Sequence, residues 1–176
     1  HLKGHFCISS HAVHYWRGAA DLMEDELELV RPQLRESMPR LVAGFHEGLA
    51  LLGYRREQYL LSADTVAHAQ RFHDASVDTH DPIFHASAVF ELGFAQLFHE
   101  EPGAMPGATT GAGSHLRAAA ATLQRARILA RQNGDLPRQV RSLTYLIVCH
   151  RRMRLVDDVE AEALRRAIVS QFDQYV

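Results

Sequence analysis

Between Ser114 and Gly134 the residues Leu116, Ala119, Ala120, Leu123, Ala126 and Ala130 recur at intervals of three and four. Only an α-helix brings such positions onto one face. That face is mostly alanine, so a neighbouring helix can approach it closely. Ser114 is read as its N-cap and Gly134 as its C-cap, since glycine accepts the left-handed backbone a helix end needs. Asp135 is the next N-cap, and Pro137 fits the first turn beyond it, where a missing N–H is harmless. The second helix carries Val140, Leu143, Leu146, Ile147, His150 and Met153. A third begins near Asp157, with Glu160 three residues on as in a capping box and a stripe of Val156, Val159, Ala163, Ala167 and Phe172. Turns this short fold consecutive helices back on each other.

The rest of the chain reads the same way. Residues 1–10 show no periodicity and are expected to be a disordered end. Ser9 or Ser10 caps a first helix with the stripe Val13, Trp16, Ala20, Met23, Leu27 and Val30, and Pro32 kinks or ends it. Its other face is acidic (Asp21, Glu24, Asp25, Glu28), either solvated or a docking surface for a basic partner. Ser37 caps the next helix, with Pro39 in its first turn and Leu41, Val42, Phe45, Leu49 and Leu52 on its buried side. Gly48 in its middle costs about 1 kcal/mol against alanine, which close packing explains. A shorter helix spans 62–75. Asp81-Pro82 is an N-cap followed by proline at the first helical position, and the helix behind it is apolar nearly all round. The segment 100–114, with two prolines and four glycines, is a loop, either mobile surface or a partner contact.

Hydrophobic residues make up 47% of the chain, which argues against disorder, and the net charge of -2 points to neither nucleic acid nor an acidic membrane. Lys3 is the only lysine. The two cysteines, Cys7 and Cys149, cannot frame a small disulfide scaffold, so a reducing, cytoplasmic setting is the default. The chain holds no apolar run of about 18 residues, and neither a membrane span nor a signal peptide is expected. The chain opens with His1 and is read as a fragment of a longer protein or a trimmed one.

Ala119, Leu123 and Ala126 stand at the spacing of the second helix of a tetratricopeptide repeat (TPR), and Leu92-Gly93 where its first helix has a Leu-Gly pair. Leu146 fills the same position in the next repeat, but Ile147 replaces the glycine. From about Leu41 to Val176 the chain resembles the degenerate TPR arrays of large bacterial signal-transduction and regulatory proteins. The resemblance implies a groove lined by first helices. Carried over by position, it assigns Ser87, Phe90, Phe94 and Leu97 from one helix, and Arg141, Thr144, Val148, Arg151 and Arg152 from the next. Within a TPR the turn between paired helices is very short, so the loop at 100–114 is an insertion that departs from the pattern. The second set of groove residues suits a carboxylate or acidic peptide; its alternative is a solvated arginine face.

No Walker loop, Gly-x-Ser-x-Gly, His-Glu-x-x-His or Cys-x-x-Cys occurs. The segment HDASVDTHDPIFH holds His73, Asp74, Asp78, His80, Asp81 and His85, of types that bind zinc, iron or manganese. His73, His80, Asp81 and His85 are the metal candidates, against a reading as solvated turn residues. Cys149 and His150 are neighbours on a helix and point about 100° apart, so they form no catalytic pair. His46, His68, His99 and His115 are scattered.

The expected fold is all-α, about seven helices in antiparallel pairs stacked as a TPR-like right-handed superhelix, in one domain over 1–176. Its ends would leave apolar surface at Trp16, or at Phe172 and Tyr175, for a homodimer or a continuing array. The expected function is a non-enzymatic interaction or effector-sensing module of a cytoplasmic signalling or transcriptional regulator, with a protein or peptide partner and no cofactor. The alternative is a small helical metal-dependent enzyme built on His73–His85.

Overall fold

The computed structural model describes residues 13–99 and 112–153, with single helical positions at 166 and 170. The fold is all-α. A helical turn at 13–17 precedes α1 (Ala20–Val30), a short 3-10 segment (Arg31–Gln33), α2 (Pro39–Arg56), α3 (Ala63–Val77), α4 (Pro82–Phe98), α5 (Ala112–Gln132) and α6 (Leu136–Met153). The chain divides into two compact units, 1–88 with 98–100, and 89–97 with 101–176.

Helix ends follow local chemistry. Gly18, at φ 72°, interrupts what the apolar spacing reads as a single first helix. Its N–H reaches Tyr15 O and that of Ala19 reaches His14 O, satisfying the last carbonyls of the turn. Val13 and Trp16 are therefore not part of a continuous buried stripe; Trp16 is 71% exposed. The same device recurs at Gly134 (φ 69°), where Asp135 N–H bonds Ala130 O. Asp135 then caps α6, its Oδ1 accepting from Arg138 N–H at 3.0 Å. Asp81 caps α4, accepting from Ile83 and Phe84 N–H, with Pro82 in the first turn. Two expected caps are different. The N-cap of α2 is Met38, which has no side-chain bond to give, so Pro39 and not Ser37 sets that start. Ser114 lies inside α5, which begins by Ala112, so 112–114 are helix rather than loop. The expected loop's remainder (100–111), the expected disordered end (1–10) and the expected helix from Asp157 lie outside the described residues, the last apart from positions 166 and 170.

In the first unit, Met23, Leu27 and Val30 of α1 bury against Leu41, Phe45 and Leu52 of α2, with Tyr15 closing the cluster. Gly48 lets this happen, for a Cβ there would lie 2.7 Å from Leu27 Cδ2. Ala43, Phe72 and Ala88 form a second layer, with Ala75 and Phe84 against it. The connection from α2 to α3 is tied by Glu57, whose carboxylate accepts from Ser62 N–H (2.8 Å), Ser62 O–H (2.6 Å) and Thr65 O–H (2.9 Å). Ser62 in turn caps α3, its Oγ accepting from Thr65 N–H. A Cβ on Gly53 would fall 2.7 Å from Thr65 Cγ2 and closer still to its Oγ1.

In the second unit, Leu116, Ala119, Leu123, Ala126 and Ala130 of α5 are buried, as are Leu143, Leu146 and Cys149 of α6. Gly93 meets α5 at Leu123, whose Cγ would be 2.8 Å from an added Cβ. The alanine face thus does what its composition allows. The described residues nevertheless show no TPR-like repeat.

Gly53→Ala tests the tightness of the α2–α3 hairpin. Alanine is the better helix former by about 1 kcal/mol, yet the overpacking should outweigh that and leave a net loss of about 1–2 kcal/mol. Urea unfolding followed by circular dichroism measures it; a more stable variant would show that the two helices are not in contact at this position.

Candidate functional site

The arginine face of α6 begins with the helix's own composition. From Leu136 to Met153 there is no acidic residue, and Arg138, Arg141, Arg151 and Arg152 are its cations. Arg138 is paired to Asp135. Arg141, Thr144, Val148 and Arg151 follow at intervals of three and four and share one face; Val148 is half-buried and the others are exposed. Arg141 stacks over the Phe90 ring, its guanidinium 5.1 Å from the centroid, which holds the side chain while leaving its edge to solvent. Arg152 donates to Leu97 O at 2.6 Å, so it caps the C-terminal end of α4. His150, Arg151 and Arg152 all sit in the last turn of α6, where cations favour the helix dipole.

The aromatic half of the expected groove is arranged differently. Phe90 and Phe94 are 2% and 7% exposed. Their rings pack on Tyr145 of α6, with centroids 5.9 Å and 5.0 Å away. They are core side chains here, under α6, and not an open groove wall; Leu97 is buried as well. What the structure leaves accessible is the α6 half: Arg141, Thr144, Arg151 and the edge of Val148.

The histidine segment is used by the fold. Asp81 holds the α4 N-terminus and also takes Arg40 Nη1 at 2.7 Å. These bonds, that of Arg40 first, hold its carboxyl below the usual carboxylate range. His73 Nδ1 donates to Asp74 Oδ1 at 2.9 Å. Ser76 O–H donates to His73 O at 2.6 Å. A hydroxyl has one proton, so His85 Nδ1–H must be the donor in its 2.8 Å bond to Ser76 Oγ. His80 stands at φ 54° in the turn, where it is exposed. Of the four metal candidates, only His73 and His85 come together, with centroids 5.5 Å apart. Among the described residues no group of three or more His, Cys, Asp or Glu side chains stands ready to hold a metal ion.

Cys149 is buried, and burial pushes its thiol up to about 11. A thiol so protonated is no nucleophile at neutral pH.

One pair escaped the sequence. His46 of α2 and His68 of α3 meet Nδ1 to Nδ1 at 3.1 Å, both half-buried. Desolvation, then the neighbouring His68, Arg71 and Arg31, lowers His46 to about 4. His68 is lowered too, by desolvation and then Arg71, with Asp64 acting in the opposite sense. The two residues are 22 apart on different helices. No local motif signals the contact, and only the helix-to-helix register creates it.

Among the described residues no helix is long and apolar enough to cross a membrane.

Asp81→Ala should cost about 1 kcal/mol at pH 7, the usual worth of an N-cap. The folded carboxyl lies below its ordinary value, so its contribution is complete above that value and fades as pH falls through the lowered one. The gap between wild type and variant in urea unfolding should therefore shrink in strong acid. In a Cys7→Ser background, Cys149 should resist iodoacetamide at pH 7.5 and react once the chain unfolds, as intact mass reports. Rapid labelling of folded protein would contradict its burial. Comparison with protein-family models gives no match, and comparison with curated proteins gives none either.

Proposed function

We propose that this chain is a non-enzymatic helical module that binds a protein or peptide partner, or senses an effector, for a cytoplasmic signalling or transcriptional regulator. The observation that carries this reading is the α6 face. It presents Arg141, Thr144 and Arg151 to solvent from a helix with no acidic residue to neutralise them. Such a face suits an acidic segment, because guanidinium groups grip carboxylates through paired hydrogen bonds. Arg141 and Arg151 are ten residues apart, about 15 Å along a helix. An extended peptide covers that distance with about five residues. Arg141 is already held by Phe90, so little freedom is lost when it binds.

The test uses a fluorescein-labelled hexaglutamate peptide and the whole chain, read by fluorescence anisotropy. Arg151→Glu, at an exposed position of α6, should weaken binding roughly tenfold, about 1.4 kcal/mol. Thr144→Glu should do the same, and salt should weaken the wild type. Unchanged affinity in both variants, with the helical circular dichroism retained, would reject α6 as the binding face.

A further inference from the structure

We propose that His46 and His68 form a proton-counting latch between α2 and α3, which survives the first added proton and opens on the second.

The geometry is that of a hydrogen bond. The ring centroids lie 5.2 Å apart while the nitrogens lie 3.1 Å apart. The rings therefore meet nitrogen to nitrogen, with their planes only 22° from parallel. Head-on nitrogens share a proton. They do not converge on a third point, as two ligands of a tetrahedral metal would.

The proton balance follows. In the neutral pair one ring holds its single proton on Nδ1 and donates it; the other holds its proton on Nε2 and accepts at Nδ1. A first added proton goes to Nε2 of the donor ring. The bridge stays, now strengthened by charge. A second must occupy the accepting Nδ1. Two N–H groups then face each other on two cations, no acceptor remains, and the rings part.

The surroundings set where this happens. Arg31 of the 3-10 segment, itself paired to Glu28 at 2.7 Å, and Arg71 of α3 oppose added charge, while Asp64 of α3 favours it on His68. The folded values lie below the ordinary 6.5, His46 at about 4. The latch is thus fully closed above about pH 6.5 and gives way as pH falls toward 4. At the loop end of the hairpin Glu57 ties Ser62 and Thr65. Release at His46 and His68 loosens the α2–α3 contact beside Phe72, which is buried against Ala43 and Ala88.

Two measurements on the whole chain test this between pH 7.5 and 4. Histidine side-chain NMR counts protons on each ring, and hydrogen exchange by mass spectrometry follows α3, corrected for intrinsic rates. The expected result is two separate protonation steps, with α3 exchange rising only with the second. His68→Gln, whose amide can turn to accept from a protonated His46, should reduce acid opening at pH 4.5 at least tenfold. Opening that follows the first proton, or the same acid profile in wild type and His68→Gln, would overturn the latch. Should that variant not fold at pH 7.5, the order of the wild-type steps decides alone.

Discussion

The first unit depends on how closely α2 can approach α3, and that distance is set by Gly53 against Thr65. No side chain larger than hydrogen fits there. Glu57 then seals the turn by taking three donors from Ser62 and Thr65. Once this end is fixed, the register of the two helices is fixed along their length. His46 is brought to His68, and Ala43 and Phe72 enter one layer. A hydrogen-bonded turn of this kind is worth little by its bond energies alone, about 1 kcal/mol each. Its larger effect is to choose one alignment out of several that the apolar spacing would allow.

Much of the fold was legible because helix ends are local. Asp81-Pro82 and Gly134-Asp135 carry their instructions within a few residues. Gly48 could be read as a close approach because a mid-helix glycine needs a reason, and Leu27 is that reason. Local signals mislead where two of them compete. Gly18 ended a helix that its flanking apolar residues seemed to continue, and Ser114 looked like a cap while the helix already began at Ala112. Local sequence is silent at His46 and His68, where neither residue means anything without the other.

The candidate site was half legible for a similar reason. The exposed positions of α6 follow from helical spacing and charge, so Arg141, Thr144 and Arg151 stand where that spacing puts them. Phe90 and Phe94 share one face of α4, but a face can be groove or core depending on what covers it. Here Tyr145 and Arg141 cover it. The histidine segment had the right donor types for a metal, yet Asp81, Ser76 and Asp74 engage in capping and in holding the rings. Composition offered ligands; the fold engages several of them in hydrogen bonds.

Arginine serves the fold of this chain in several ways. Arg31, Arg40, Arg55 and Arg141 lie over the rings of Phe45, Phe84, Tyr15 and Phe90. Arg55 and Arg152 also cap carbonyls, and Arg56 and Arg138 pair with Glu24 and Asp135. In each case a planar cation is held by the fold and loses freedom that a partner would otherwise have to restrain. On α6 this produces a graded row. Arg138 is neutralised, Arg152 is committed to a carbonyl, Arg141 is fixed but charged, and Arg151 is exposed. A ligand carboxylate would therefore meet its most ordered donor at Arg141 and its most adaptable one at Arg151. If α6 binds an acidic peptide as proposed, the row has a direction: the peptide end at Arg141 would be read by geometry, and the end at Arg151 by charge.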